Sequence, residues 1–133
     1  MTERQTIVPE SQRQLYDRFH FAPAVVDDSG TVHCSGVLGS GADGSFADEP
    51  VDQFRQAFAN AATVLEEAGC GWGDVVEMTT FHVDLMENLR AFVQAKDEVV
   101  GEPYPAWTAI DVDRLFPDNG TVEIRVVAYA PRR

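Results

Sequence analysis

The sequence predicts an α+β fold: a mostly antiparallel sheet of five or six strands with two helices packed on one face. Three observations predict it. Two windows carry apolar residues at helical spacing, and several runs rich in Val, Thr and Ile are bounded by tight-turn residues. The resulting order, ββ-α-β-α-ββ, has too few helices to cover both sides of its sheet, so both belong on one.

The chain opens on a polar arm, residues 1–10, in which Arg4 to Val8 forms a possible short strand. Ala22 to Asp27 and Thr31 to Gly36 flank Asp28-Ser29-Gly30, which reads as a β-hairpin. The glycine-rich stretch Val37 to Asp48 lacks a Gly-Lys-Ser/Thr ending and reads as a loop. Phe54, Ala57, Phe58, Ala61, Val64, Leu65 and Ala68 form one stripe, with Pro50 as start signal and Gly69 as stop, so a helix is expected from Pro50 to Ala68. Asp74 to Asp84 reads as a strand, and Leu89, Phe92, Val93, Lys96, Val99 and Val100 set a second helix over Asn88 to Val100. Pro103 and Pro105 end it. Trp107 to Arg114 and Thr121 to Ala130 are the closing strands, joined by the turn-forming Phe116-Pro117-Asp118-Asn119-Gly120.

Strand alternation divides the sheet into two faces. Val122, Ile124, Val126 and Ala128 are assigned to the helices, together with Thr108, Ile110 and Val112. The second face then holds His33, Ser35, Trp107, Asp111, Glu123, Arg125 and Tyr129. Such a mixed face is either half solvated or packed against other subunits with ligand clefts between them.

At 133 residues, one domain spanning 1–133 is expected. The formal charge of -12 and pI near 4.4 argue against nucleic acid and anionic membrane partners. Cys34 and Cys70 are too few for a disulfide framework and lack metal-ligand spacing, so they are read as buried thiols, and no metal is expected. The N-terminus shows no apolar leader and no run approaches the ~20 apolar residues of a membrane span, which gives a cytoplasmic expectation.

Several motifs occur in a specific order: Val32-His33-Cys34-Ser35-Gly36; Ala57-Phe58-Ala59-Asn60, leading to Asp74-Val75-Val76; Thr79-Thr80-Phe81-His82-Val83-Asp84-Leu85; Pro105-Ala106-Trp107-Thr108; and Val122-Glu123-Ile124. Over about residues 21–130 they resemble the Rid (reactive intermediate deaminase, RidA/YjgF-type) family, and within it the YjgH-like branch that lacks the deaminase arginine. The resemblance implies a chorismate-mutase-like domain, a homotrimer whose sheets line a central barrel, and small-molecule clefts between subunits. It also implies hydrolysis of enamines or imines such as 2-aminoacrylate, without metal or organic cofactor. In such deaminases an arginine holds the substrate carboxylate and a glutamate on the last strand positions water.

Glu123 matches that glutamate and is the expected general acid/base, against a reading as a solvated strand carboxylate. Trp107 stands where the arginine is expected. An indole offers one donor and no charge, so a carboxylate ligand would lose about 2 to 5 kcal/mol of binding there. Trp107 is then either an aromatic wall of the site or a subunit-interface anchor, and Trp107→Arg is expected to raise imino-acid hydrolysis. Ser35 either contacts ligand or bonds backbone. Tyr104 and Phe21, the latter matching a cleft tyrosine of the RidA type, would make an apolar wall. His82 is a candidate binding group because imidazole titrates near neutrality, with a satisfied core histidine as the alternative. A non-catalytic trimeric protein that binds a small metabolite is the rival to the enzyme reading.

Overall fold

The structure is a computed structural model and describes residues 4–129. The first three residues of the arm, and the expected strand end at Ala130, lie outside them. The strands are β1 (Gln5–Ile7), β2 (Ala24–Val26), β3 (Thr31–Cys34), β4 (Val37–Leu38), β5 (Val75–His82), β6 (Ala106–Asp111) and β7 (Val122–Tyr129). They form one sheet in the order β1-β2-β3-β7-β5-β6, with β4 also paired to β7. All pairings are antiparallel except β5 with β6.

The helices are α1 (Arg13–Phe19), α2 (Pro50–Glu67) and α3 (Leu85–Asp97). The expectation of two helices is thus corrected by α1, which buries no residue and so has no apolar stripe to be read. A 3-10 turn at Glu10–Gln12 leads into it, and His20 ends it in the left-handed region at φ 58, its N–H bonding to the Tyr16 carbonyl. Helix α2 follows its sequence signals closely: Pro50 lies in its first turn, its stripe is buried from Phe54 to Leu65, and Gly69 turns away at φ 80 just past its end. Helix α3 begins before the expected Asn88, because the Asp111 carboxylate at the end of β6 accepts the Leu85 N–H at 3.2 Å. That contact satisfies one orphan donor of the first turn.

The core lies between the sheet and the pair α2 and α3. Val122, Ile124, Val126 and Ala128 are buried there, and the Phe92 ring lies 5.4 Å from each of Phe54 and Phe58, centroid to centroid. Each large side chain so buried contributes roughly 1.5 to 3 kcal/mol. Two polar clamps register the loops on this core. Gln53 of α2 donates to the Ala47 and Asn119 carbonyls and accepts from the Thr121 N–H and hydroxyl, which anchors the start of β7. Asn60 donates to the Leu38 and Ser40 carbonyls and ties down β4, a short strand inside the stretch expected to be loop.

Candidate functional site

Strand β7 settles which residues share the second face. Its register with β5 sets Arg125 opposite Thr79 and Glu123 opposite Phe81, while β3 sets His33 opposite Val127. These side chains point away from the helices, as the alternation of β7 required. His33 is held at the margin by Asp27, Nε2 to Oδ2 2.9 Å. Hydrogen bonds from Ser29, His33 and the Thr31 backbone keep the Asp27 carboxyl well below the ordinary carboxylate range.

The assignment of Trp107 and Asp111 to that face is corrected. Strand β6 runs parallel to β5 with Met78 opposite Trp107 and His82 opposite Asp111, so both share the helix-facing side of β5. Thr108 and Ile110 take the second face instead, and Ile110 is exposed. The assignment by aliphatic character failed because β6 is an edge strand, where either face can carry apolar side chains. The large apolar surface of the indole is what α3 covers. Its ring lies 5.8 Å from that of Phe92, with the Lys96 ammonium 5.3 Å above it.

Under α3 the buried polar groups form a chain. Trp107 Nε1–H donates to Thr80 Oγ1 at 2.9 Å, and Thr80 Oγ1 lies 2.7 Å from His82 Nε2. Thr80 is 0% exposed, and His82, edge-on to Phe92, is 1% exposed. The hydroxyl proton of Thr80 needs an acceptor, and the indole offers none, so it goes to His82 Nε2 and leaves the imidazole proton on Nδ1. Burial pushes His82 down to about 4, with Asp111 opposing, so the ring is neutral at ordinary pH. His82 is thus a buried, neutral ring bonded to Thr80 beneath α3. Although Thr80, His82 and Asp111 superficially suggest a nucleophile with its base, the hydroxyl is enclosed and already bonded at both ends.

Glu123 sits differently. It is half-buried, and its carboxyl group lies so close to Gly36 that a Cβ there would come within 2.7 Å of Glu123 Cγ. Among the described residues no hydrogen-bond donor or cation contacts the carboxylate, and burial pushes its pKa up. Ser35, one residue before Gly36, spends its hydroxyl on the Ala22 carbonyl at 2.7 Å, the backbone-bonding reading. Tyr104 and Phe21 stand at the surface, 67% and 38% exposed. Within the described chain, neither they nor Ser35 nor Trp107 joins Glu123 through a hydrogen bond or ion pair. Sequence reading missed Gly36 as a space-maker for Glu123; its only signal was a glycine at a strand end.

Cys34 and Cys70 are both buried, and desolvation pushes the Cys34 thiol up to about 12. A cavity of about 340 Å³ opens between β1, α1 and the end of α2, lined by Gln5, Thr6, Ile7, Val8, Arg13, Tyr16 and Glu67. It contains none of the expected site residues. No helix among the described residues is long and apolar enough to cross a membrane.

A single α+β domain with three helices, one sheet, and a lone desolvated carboxyl on its uncovered face is the class of protein these features define. The chain belongs to the RidA/YjgF family: the family model described as Endoribonuclease L-PSP matches residues 12–130. It is 31% identical to the RutC family protein YjgH of Escherichia coli, with 100% of both chains covered, and the YjgH structure superposes over 99% of this chain and 100% of that one with a TM-score of 0.88. It is 33% identical to the 2-iminobutanoate/2-iminopropanoate deaminase of Salmonella typhimurium, covering 68% of this chain and 70% of that protein. RidA from Psychrobacter sp. PAMC 21119 superposes with a TM-score of 0.76 at 30% identity, over 84% and 89% of the two chains.

Proposed function

We propose that this protein is a cofactor-independent hydrolase of a small reactive imine or enamine, working at clefts of a homotrimer built through the second sheet face. The observation that carries this is Glu123: a half-buried carboxyl with no hydrogen-bond or ion-pair partner among the described residues, placed on the face away from the helices. Desolvation raises the basicity of that carboxylate above that of an exposed one, which makes it a better proton acceptor. The relatives named as imine deaminases point to the same reaction class.

Water adds through its oxygen to the imine carbon while the C=N π pair moves to nitrogen. Glu123 takes the proton that water gives up and passes it to that nitrogen. The C–N bond then breaks as the carbonyl forms and ammonia leaves, Glu123 taking the remaining hydroxyl proton and handing it to the departing ammonia, so iminium and water become carbonyl compound and ammonium. No metal or redox partner enters this balance. Expected partners are a small ligand and further copies of the chain, whereas the charge of -12 disfavours nucleic acid.

The test is ammonia release from imines generated in situ, with and without a carboxylate, in the wild type and in Glu123→Gln, alongside mass by light scattering. Acceleration over buffer that disappears in the variant, in a trimer, is the expected result. No acceleration for any imine would leave a non-catalytic binding protein, and a monomeric mass would remove the cleft.

A further inference from the structure

Glu123 has a neighbour of opposite charge on its own strand. Arg125 lies two residues further along β7 on the same face, opposite Thr79 where Glu123 is opposite Phe81. Two residues of extended strand separate their backbones by about 6.8 Å, and no packing of subunits changes that. Whatever closes over this face therefore meets both groups together. They do not neutralise each other: the Glu123 carboxyl group lies over the Gly36 backbone, and no ion pair joins it to Arg125 among the described residues. Every other described arginine is exposed, whereas Arg125 is half-buried. Arg55 and Arg114 pair with Glu98 and Asp118, while Arg13 and Arg18 lie over the rings of Tyr16 and Phe19. Arg125 has no such contact among the described residues, although its charge reaches the Cys34 thiol, two residues before Gly36, and opposes the effect of burial there. A partly desolvated guanidinium is costly unless something anionic meets it.

We propose that Arg125 is the specificity-determining residue of the Glu123 site: its guanidinium holds a carboxylate of the ligand while Glu123 acts at the imine carbon beside it. The proposal rests on the imine-hydrolysis reading above and names the residue that selects the substrate. The planar fork of arginine pairs with both oxygens of a carboxylate and keeps its charge at any working pH. A protonated 2-imino acid carries its two charges on neighbouring carbons, so bound this way its signs alternate with those of the protein: guanidinium, carboxylate, iminium, Glu123. The guanidinium offsets the repulsion that Glu123 alone would exert on the ligand's carboxylate. Strand β7 thereby supplies both ends of the grip from one face, which Trp107 cannot do from beneath α3.

The experiment compares two substrates differing only in the carboxylate: ethanimine, generated from ethylamine by a flavin amine oxidase, and 2-iminopropanoate, generated from alanine by an amino-acid oxidase. Ammonia release is followed with the full-length wild type, Arg125→Gln and Arg125→Lys, alongside mass by light scattering. In Arg125→Gln the ratio of kcat/KM for 2-iminopropanoate to that for ethanimine is expected to fall about ten- to hundredfold, the span a charge-assisted hydrogen bond supplies. Arg125→Lys, which keeps the charge without the fork, should lie in between. An arginine that only pairs with an acid of a neighbouring subunit would lower both rates together. An unchanged ratio, or acceleration of ethanimine alone by the wild type, would overturn the proposal while leaving imine hydrolysis in place. In parallel, pyruvate is titrated against isotope-labelled wild type, with acetone as the uncharged control, reading the Arg125 Nε–H signal. A shift with pyruvate and none with acetone is expected. This titration decides the matter where Arg125→Gln does not assemble, absence of a pyruvate shift overturning the proposal. Pyruvate binding without acceleration of either imine would remove the hydrolase reading and keep Arg125 as the anion-holding group. Neither binding nor acceleration overturns both.

Discussion

Trp107 Nε1–H donates to Thr80 Oγ1 at 2.9 Å, on the helix side to which the pairing of β6 with β5 turns the indole. The indole lies under α3, and Thr80 Oγ1 links it to His82 Nε2 at 2.7 Å. Replacing Thr80 by Val removes the middle of the chain while keeping its shape, leaving a buried indole N–H and an imidazole nitrogen unmet. The expected cost is about 1 to 3 kcal/mol, read from urea unfolding. Trp107→Phe removes one donor and should cost less. Their effects should be non-additive in a double-mutant cycle. A Thr80→Val protein as stable as wild type would refute the chain.

His82 gives stability a pH dependence of definite sign. Its folded pKa, about 4, lies below the unfolded value of 6.5, so between those values the unfolded chain takes up a proton that the folded one refuses. The contribution is complete above pH 6.5 and falls as pH drops towards 4, by up to about 3 kcal/mol. Unfolding midpoints of wild type and His82→Gln across that range should show a shallower decline for the variant. Parallel curves would mean the ring is not buried as described.

The sequence was legible where one face of an element is buried and the other is not. Strand β7 lies between two neighbours with helices on one side only, so its alternation assigned Glu123 correctly. Helix α2 announced itself through a stripe that is buried from Phe54 to Leu65. Strand β6 has a neighbour on one side only, and its two faces are equally mixed in character, so the same rule inverted Trp107 and Asp111. Helix α1 buries nothing and left no periodicity to read. Glu123 was findable because alternation and family position coincide on it, whereas the role of Gly36 depends on a side chain folded back across the sheet, which no local pattern encodes.

Glu123→Gln should separate stability from activity. Burial raises the folded pKa of Glu123, so above that pKa its ionisation opposes folding, and the opposition fades as pH falls and the folded group protonates. The amide is isosteric and uncharged, so the variant is expected to unfold at higher urea concentration than wild type at pH 7. The gap should narrow towards acid pH, and imine hydrolysis should be lost throughout. A variant less stable at pH 7 would indicate a cation paired with Glu123 in the assembled protein.

Gly36→Ala tests the positioning of Glu123 without touching its charge. The added methyl would collide with the end of a flexible side chain rather than with backbone, so Glu123 can move aside and the fold should hold, within about 1 kcal/mol. Displacing a general base by about 1 Å costs on the order of a hundredfold in rate. The expected signature is a large fall in kcat with a nearly unchanged urea midpoint. Full activity in Gly36→Ala would mean that the observed position of Glu123 is not the working one.

The change Trp107→Arg now carries the opposite expectation from that of the sequence alone. Had the side chain faced the uncovered side of the sheet, an arginine would have supplied the missing carboxylate grip. Instead position 107 lies beneath α3, where an arginine would lose the ring contact with Phe92 and meet the Lys96 ammonium in place of offering it an aromatic face. It retains donors for Thr80, so the buried chain is not broken outright. A loss on the order of 2 to 3 kcal/mol in stability is expected. Hydrolysis of 2-iminopropanoate should stay at the wild-type level, since the guanidinium lies beneath α3 and, within one subunit, on the opposite side of the sheet from Glu123. A clear gain in that activity would show that an arginine at this position turns outward, and that the indole is held inward by its packing rather than by the strand.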